Sequence, residues 1–266
     1  MQHSSNRSPG FAVIDLETTG FVADEERIVE VAVVILDADG NEEGSFCTLI
    51  DPGCDPGPTQ IHGISAEMLV GAPSFAEVHP YLADLLSGRV VVGHNVARFD
   101  LPFLVAECRR LGGDALVPDL LPPVLPVEVS EFEIAGAVPA SSAELIEGSL
   151  LVDALTSAEN RPTGRSDERV GPGVLDTLRV AQDHLGLRGK AKLIDCCDRY
   201  GLTWDEHHHA LGDARVTAAL LGAMRDELGD EVLGIHDRLQ AATEVAWPGA
   251  AHTPLMPQVL DRSLSG

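Results

Sequence analysis

Lysine is scarce in this 266-residue chain, which carries only Lys190 and Lys192. Contacts with phosphate outside a metal site would therefore fall mainly to arginine. Long apolar runs are lacking too: hydrophobic residues make up 44% of the chain, yet no stretch approaches the roughly 20 apolar residues needed to cross a bilayer. The polar start MQHSSNRSPG has no apolar segment of the kind that directs export. No membrane contact and a cytoplasmic location are the expectations. The cysteines (Cys47, Cys54, Cys108, Cys196 and Cys197) are odd in number and contain no CxxC, so neither a zinc knuckle nor a disulfide framework is indicated. Positive charge is outweighed throughout, giving a formal net charge of -24. That balance opposes loose binding of nucleic acid over the whole surface. It leaves room for a local polyanion site, because a carboxylate cluster loaded with divalent cations reverses its own sign.

What is present has a clear rhythm. FAVIDLETTG, residues 11–20, is an apolar run ending in acids and glycine, the pattern of a buried strand followed by a turn. RIVEVAVVILDADGNEEGSFCTLI predicts two further strands joined at the Asp-Gly turn. Phe75, Val78, Leu82, Leu85 and Leu86 fall at helical spacing before Gly88, and RVVVGHN follows as a fourth strand. ARFDLPFLVAECRRLGG reads as a helix, VLDTLRVAQDHLG as a short strand and helix, and AKLIDCCDRYG as a helix. ALGDARVTAALLGAMRDELG is the longest amphipathic helix. Strands first, then alternating helices and strands, predict an α/β fold with a sheet of mixed direction.

Residues 114–172 break this rhythm with proline-rich, acidic and turn-rich segments, and read as an insertion. Within it LPVEVSEFEI alternates as a strand or hairpin does, and SSAELIEGSLLVDAL has a serine cap with glutamate three residues later. The expected organisation is a flexible start over 1–10, a domain over 11–228 and a C-terminal helix with an extended tail over 229–266.

The acids carry the chemistry. Residues two apart in a strand share a face, so Asp15 and Glu17 project side by side at the end of the first strand, where α/β sheets place ligands. Asp100 follows the fourth strand in the first turn of a helix, and Asp213 lies in the first turns of the last long helix. Four carboxylates from three elements make an all-oxygen environment suited to Mg²⁺ or Mn²⁺. Two such ions about 4 Å apart activate a water and stabilise the leaving oxygen of a phosphodiester. The tract His207, His208, His209 is, from its own residues, either an exposed loop or a working histidine beside two bystanders; three sequence neighbours cannot easily all turn inward around one metal.

Together IDLETTG, GHNVARFDLPFL and HHALGDA strongly resemble the three signature motifs of the DEDDh 3′-to-5′ exonucleases, the family of the polymerase III epsilon proofreading subunit. The resemblance spans 11–113 and 173–228. It implies a ribonuclease H-like α/β fold with a mixed five-stranded sheet, two divalent ions held by Asp15, Glu17, Asp100 and Asp213, and a general base at His208, five positions before Asp213. It implies release of nucleoside 5′-monophosphates from 3′ ends of DNA, with RNA 3′ ends as an alternative substrate, a polymerase as a possible partner and a catalytically silent scaffold as the alternative from another class. With less weight it assigns substrate contacts to Thr18 and Gly20 after the first acids, to His62 and Ile64 in TQIHGIS, and to Asn95. Residue-level alternatives stand beside these: Ser65 capping a helix with Met68 in its first turn, Asn95 capping the helix of Asp100, Phe99 and Phe103 as core, and Asp176 as a helix N-cap.

Overall fold

The computed structural model describes residues 10–116, 173–187, 191–203 and 209–250. The expected hairpin and helix within 114–172, the tail beyond residue 250 and His208 lie outside these residues. Three strands come first: β1 (Gly10–Thr18), β2 (Ile28–Asp37) and β3 (Glu42–Leu49). They form an antiparallel meander, and Asp37 closes its tip by accepting hydrogen bonds from the backbone and side-chain amides of Asn41 at 2.8 and 2.9 Å. A single helical turn, α1 (Thr59–His62), precedes α2 (Phe75–Leu86) and β4 (Arg89–Gly93). Then come α3 (Asp100–Gly112), β5 (Val174–Asp176), α4 (Thr177–His184), α5 (Leu193–Tyr200), α6 (Ala210–Leu228) and α7 (Ile235–Ala242).

The sheet runs β3-β2-β1-β4-β5, with β4 parallel to β1 and β5 parallel to β4. This is the expected mixed five-stranded sheet. Its two faces bury separate cores, and strand periodicity decides which residue joins which. Ala12, Ile14 and Leu16 of β1 pack with Leu82 and Leu86 of α2 and Leu104 of α3. Phe11 and Val13 face the other way, toward Leu178 of α4, Cys196 of α5 and Leu220, Leu221 and Met224 of α6. Burying each of these larger side chains stabilises the fold by about 1.5–3 kcal/mol. Asp15 and Glu17 continue the row of Phe11 and Val13, so their place on the α6 side follows from the period of two.

Two helix starts differ from the expected ones. Ser65 opens turns rather than a helix, with Met68 and Leu69 donating to the carbonyls of Ser65 and Ala66 at 3.1 and 3.2 Å. Gly71, at φ +84°, and Pro73 stop the run within a turn. Helix α2 starts, as its spacing predicts, behind Ser74, whose backbone N–H and hydroxyl both donate to the Glu77 carboxylate at 2.9 and 2.7 Å. Helix α3 begins at Asp100 rather than near Ala97, because Asn95 takes a left-handed conformation at φ 69° and folds residues 96–99 into turns. Pro102 then sits in the first turn of α3, where its missing N–H costs no helical bond. Beyond α7 the chain returns to the core: Val245 and Trp247 are buried with the α2 face, and Trp247 donates its backbone N–H to the Ser87 hydroxyl at 2.9 Å.

Candidate active site

The C-terminal ends of the parallel strands β1, β4 and β5 lie on one edge of the sheet, and the acids gather there. One carboxylate oxygen from each of Asp15, Glu17 and Asp213 lies within 4.8 Å of the others. Asp15 and Glu17 arrive from the end of β1, and Asp213 from the first turn of α6, its N–H bonded to the His209 carbonyl at 3.0 Å. Asp100 stands outside this tight trio but close enough for its charge to act on Asp15. It is 3% exposed, at the first position of α3.

Electrostatics at this edge are adverse for the acids as they stand. Burial holds the Asp15 pKa well above the ordinary carboxylate range, and the charges of Asp213, Asp100, Glu17 and Glu30 push it further up. The Asp100 pKa is pushed up to about 8, first by burial and then by the charge of Asp176, against opposing hydrogen bonds from the backbone of Asp100 itself and of Leu16. Crowded carboxylates that resist ionisation are what a divalent cation relieves, and an all-oxygen donor set suits a hard ion. The residues present therefore fit the implied Mg²⁺ or Mn²⁺.

The surroundings are built from hydrogen bonds between distant segments. Asp176 caps α4 by accepting from the Leu178 N–H at 3.0 Å, as its sequence position suggested, and also accepts from the N–H groups of Asn95 and Ala97 at 2.9 and 3.2 Å. One buried carboxylate thus fixes the turn that delivers Asp100. His94, next to this turn, donates Nε2–H to the Ala191 carbonyl at 2.7 Å and meets the Thr177 hydroxyl through Nδ1 at 2.9 Å; burial lowers its pKa to about 4.

After β1, the Thr18 hydroxyl donates to the Gly20 carbonyl at 2.6 Å. Thr19 donates its hydroxyl to the Glu26 carboxylate and its backbone N–H to the Arg27 carbonyl at 2.9 Å, while the Arg27 N–H donates to the Thr19 hydroxyl oxygen at 3.0 Å, which closes the loop. A Cβ on Gly20 would meet the Glu26 side chain at 2.7 Å, so any larger residue there would have to displace that carboxylate. Arg27 in turn grips Glu107 of α3 with two bonds of 2.6 and 3.1 Å, tying this loop to the helix of Asp100.

His62 and Ile64 are 2% and 0% exposed, and the structure uses both to hold their own loop. The Ile64 N–H donates to His62 Nδ1 at 3.0 Å, which places the ring proton on Nε2, facing the Pro56 carbonyl at 3.2 Å. The same loop lies against the end of β1: at Gly57, φ +81°, a Cβ would sit 2.1 Å from the Thr19 carbonyl oxygen. Asn95 engages the surroundings through its backbone, its carbonyl accepting from Arg98 and Phe99 at 3.1 and 3.0 Å. The Phe99 and Phe103 rings pack on each other, centroids 5.1 Å apart, at the α2 core.

The site includes residues the sequence did not single out. Glu30 of β2 is 3% exposed, faces Glu17 across the β1–β2 ladder and accepts a hydrogen bond from the Ala210 N–H at the start of α6. Glu107 is 1% exposed and pairs with Arg27 and Arg110. Their signal was a charge inside an otherwise apolar run, IVEVAVV and LVAECR.

Residues 12–124 match the family model described as Exonuclease, RNase_T. That match takes in Asp15, Glu17 and Asp100. The chain is 40% identical over 99 residues to the DNA polymerase III subunit epsilon of Treponema pallidum, covering 36% of this chain and 45% of that one. The chain spans about half the length, or less, of the curated relatives it matches. Among solved structures it resembles the nuclease domain of 3′hExo, a DEDDh family member bound to rAMP, with a TM-score of 0.52 and 14% identity over 85% of this chain and 96% of that one. It also resembles E. coli exonuclease I in complex with a dT13 oligonucleotide, with a TM-score of 0.53 and 16% identity over 86% and 43%. These likenesses establish a ribonuclease H-like fold.

Proposed function

We propose that the chain is a metal-dependent 3′-to-5′ exonuclease that releases nucleoside 5′-monophosphates from the 3′ ends of DNA. The observation that carries this reading is the meeting of the Asp15, Glu17 and Asp213 carboxylates within 4.8 Å at the sheet edge of an exonuclease-family domain. Asp15, Glu17 and Asp213, with Asp100 beside them, are the residues that would hold two ions, Mg²⁺ or Mn²⁺. When bound, such ions activate the attacking water and neutralise the leaving 3′ oxygen.

The chain's own groups supply the rest. His208, outside the described residues, is the base that takes the proton of the attacking water, a role suited to imidazole, whose unperturbed pKa of about 6.5 lies near neutral pH. The water oxygen bonds to phosphorus, the bond from phosphorus to the 3′ oxygen of the preceding nucleotide breaks, and the terminal nucleotide leaves as its 5′-monophosphate. Thr18 and Gly20, Asn95, and the loop shaped by His62 and Ile64 are assigned to hold the 3′-terminal nucleotide, the loop through its backbone.

DNA is favoured by the kinship with a DNA polymerase III subunit, which also makes a polymerase the natural partner. RNA 3′ ends are the second reading, favoured by likeness to a nuclease domain solved with rAMP. Degradation of matched 5′-labelled single-stranded DNA and RNA with Mn²⁺ or Mg²⁺ tests both. DNA shortened from its 3′ end faster than RNA is expected; RNA shortened tenfold faster would transfer the reading to RNA, and no ladder on either would refute it.

A further inference from the structure

We infer that Glu30 is a positioning residue for the metal-binding acids, holding the first turn of α6, and with it Asp213, at its working distance from Asp15 and Glu17. This inference rests on the metal site proposed above. Helix α6 begins at Ala210 behind His209, and His209 makes no side-chain cap. The first N–H groups of a helix have no partner inside it, and Ala210 is fully buried, so water does not reach its N–H. The acceptor comes from another element: Glu30 Oε2 takes the Ala210 N–H at 3.2 Å, 180 residues away in sequence.

Geometry makes this bond consequential. Glu30 is the cross-strand partner of Glu17, and directly paired residues of an antiparallel ladder project from the same face. Its carboxylate therefore spans from the strand neighbour of Glu17 to the helix that carries Asp213, one turn beyond Ala210. Its other oxygen accepts from the Cys47 thiol on β3 at 3.7 Å, which orients the carboxyl group. Placing a further acid here is electrostatically adverse, because its charge adds to those that oppose ionisation of Asp15. The helix N-terminus, the positive end of the helix dipole, is the feature that offsets it.

Function follows from the acceptor oxygen rather than from the charge. Glu30→Gln keeps a carbonyl oxygen for the Ala210 N–H; Glu30→Ala removes it. Mn²⁺ affinity measured by electron paramagnetic resonance, in parallel with kcat and KM on a short 5′-labelled oligonucleotide, tests the assignment. Glu30→Ala should bind Mn²⁺ at least tenfold more weakly and lose at least tenfold in kcat, with KM within threefold and an unchanged far-UV circular dichroism spectrum. Glu30→Gln should stay within about threefold of the wild type in both.

Glu30→Ala binding Mn²⁺ within twofold of the wild type overturns the inference, as does a folded Glu30→Gln that loses tenfold or more. If Glu30→Ala does not fold, the Glu30→Gln affinity decides alone by the same limits. A wild-type protein that binds Mn²⁺ but cleaves nothing would sink the exonuclease reading and leave this test intact.

Discussion

Replacing Asp100 by Asn should stabilise the metal-free protein, and increasingly so as pH rises. Asp100 is 3% exposed, and burial with the charge of Asp176 pushes its pKa up to about 8, whereas in an unfolded chain an aspartate titrates near 3.9. The folded protein thus keeps a proton that the unfolded chain has released. The stabilising contribution of the protonated acid is fully present below about pH 4, falls through the window between, and is gone above about pH 8. Each pH unit in that window costs the fold up to about 1.4 kcal/mol. Solvent and backbone relaxation around the ionised acid take up part, leaving on the order of 3 kcal/mol at pH 8. Asparagine does not ionise and keeps one acceptor oxygen for the backbone groups that bond Asp100. At roughly 2–4 °C per kcal/mol for a domain of this size, Asp100→Asn should melt about 6–12 °C above the wild type at pH 8 in EDTA and within a few degrees of it near pH 5. Added Mn²⁺ should raise the wild-type Tm more than that of the variant, narrowing the gap. Differential scanning fluorimetry across pH 5 to 8, with and without Mn²⁺, provides the readout. A Tm difference independent of pH, or a variant less stable than the wild type at pH 8, would refute the reasoning.

Further outcomes follow from other residues. Asp176→Ala leaves the N–H groups of Asn95, Ala97 and Leu178 without their acceptor; at roughly 1–3 kcal/mol per orphaned buried group, urea unfolding should show a loss of about 3 kcal/mol or more, and a loss below about 1 kcal/mol would contradict the structure. Gly57→Ala drives a Cβ into the Thr19 carbonyl, so the loop should lift from the end of β1 and KM for a 3′ end should rise with little change in kcat; unaltered kinetics would separate this loop from the substrate. His208→Ala should lower kcat by about 10²- to 10⁴-fold with KM nearly constant, whereas a change confined to KM would remove His208 from the role of base.

Much of the fold was legible because the strands obey their period. The apolar run IVEVAVVILD and the Asp-Gly turn foretold the β2–β3 hairpin, and the shared face of Asp15 and Glu17 at the end of β1 followed from the period of two. Asp176 as the cap of α4 was legible from VLDTL alone. Asp213 stood out as an acid in the first turns of the last long helix, and motif spacing paired it with His208. Less legible were features created by distance in sequence. No local pattern announces that Glu30 will meet Ala210, or that Arg27 will grip Glu107 80 residues later. His62 illustrates a different gap: a histidine in a polar loop reads as accessible, and only the folded loop shows both ring nitrogens turned to Ile64 and Pro56. The start of α3 moved because a single left-handed residue, Asn95, sets the turns before it, and backbone sign is not readable from asparagine alone.

The central claim is that Asp15, Glu17 and Asp213 form a metal-dependent phosphodiesterase centre, and one comparison tests it most directly: Mn²⁺-dependent shortening of a 5′-labelled single strand by the wild type and by Asp15→Asn at equal concentration, with the variant's fold verified by circular dichroism. The account predicts a ladder receding from the 3′ end for the wild type, abolished by EDTA, and none for the folded variant. Near-normal cleavage by Asp15→Asn would contradict it.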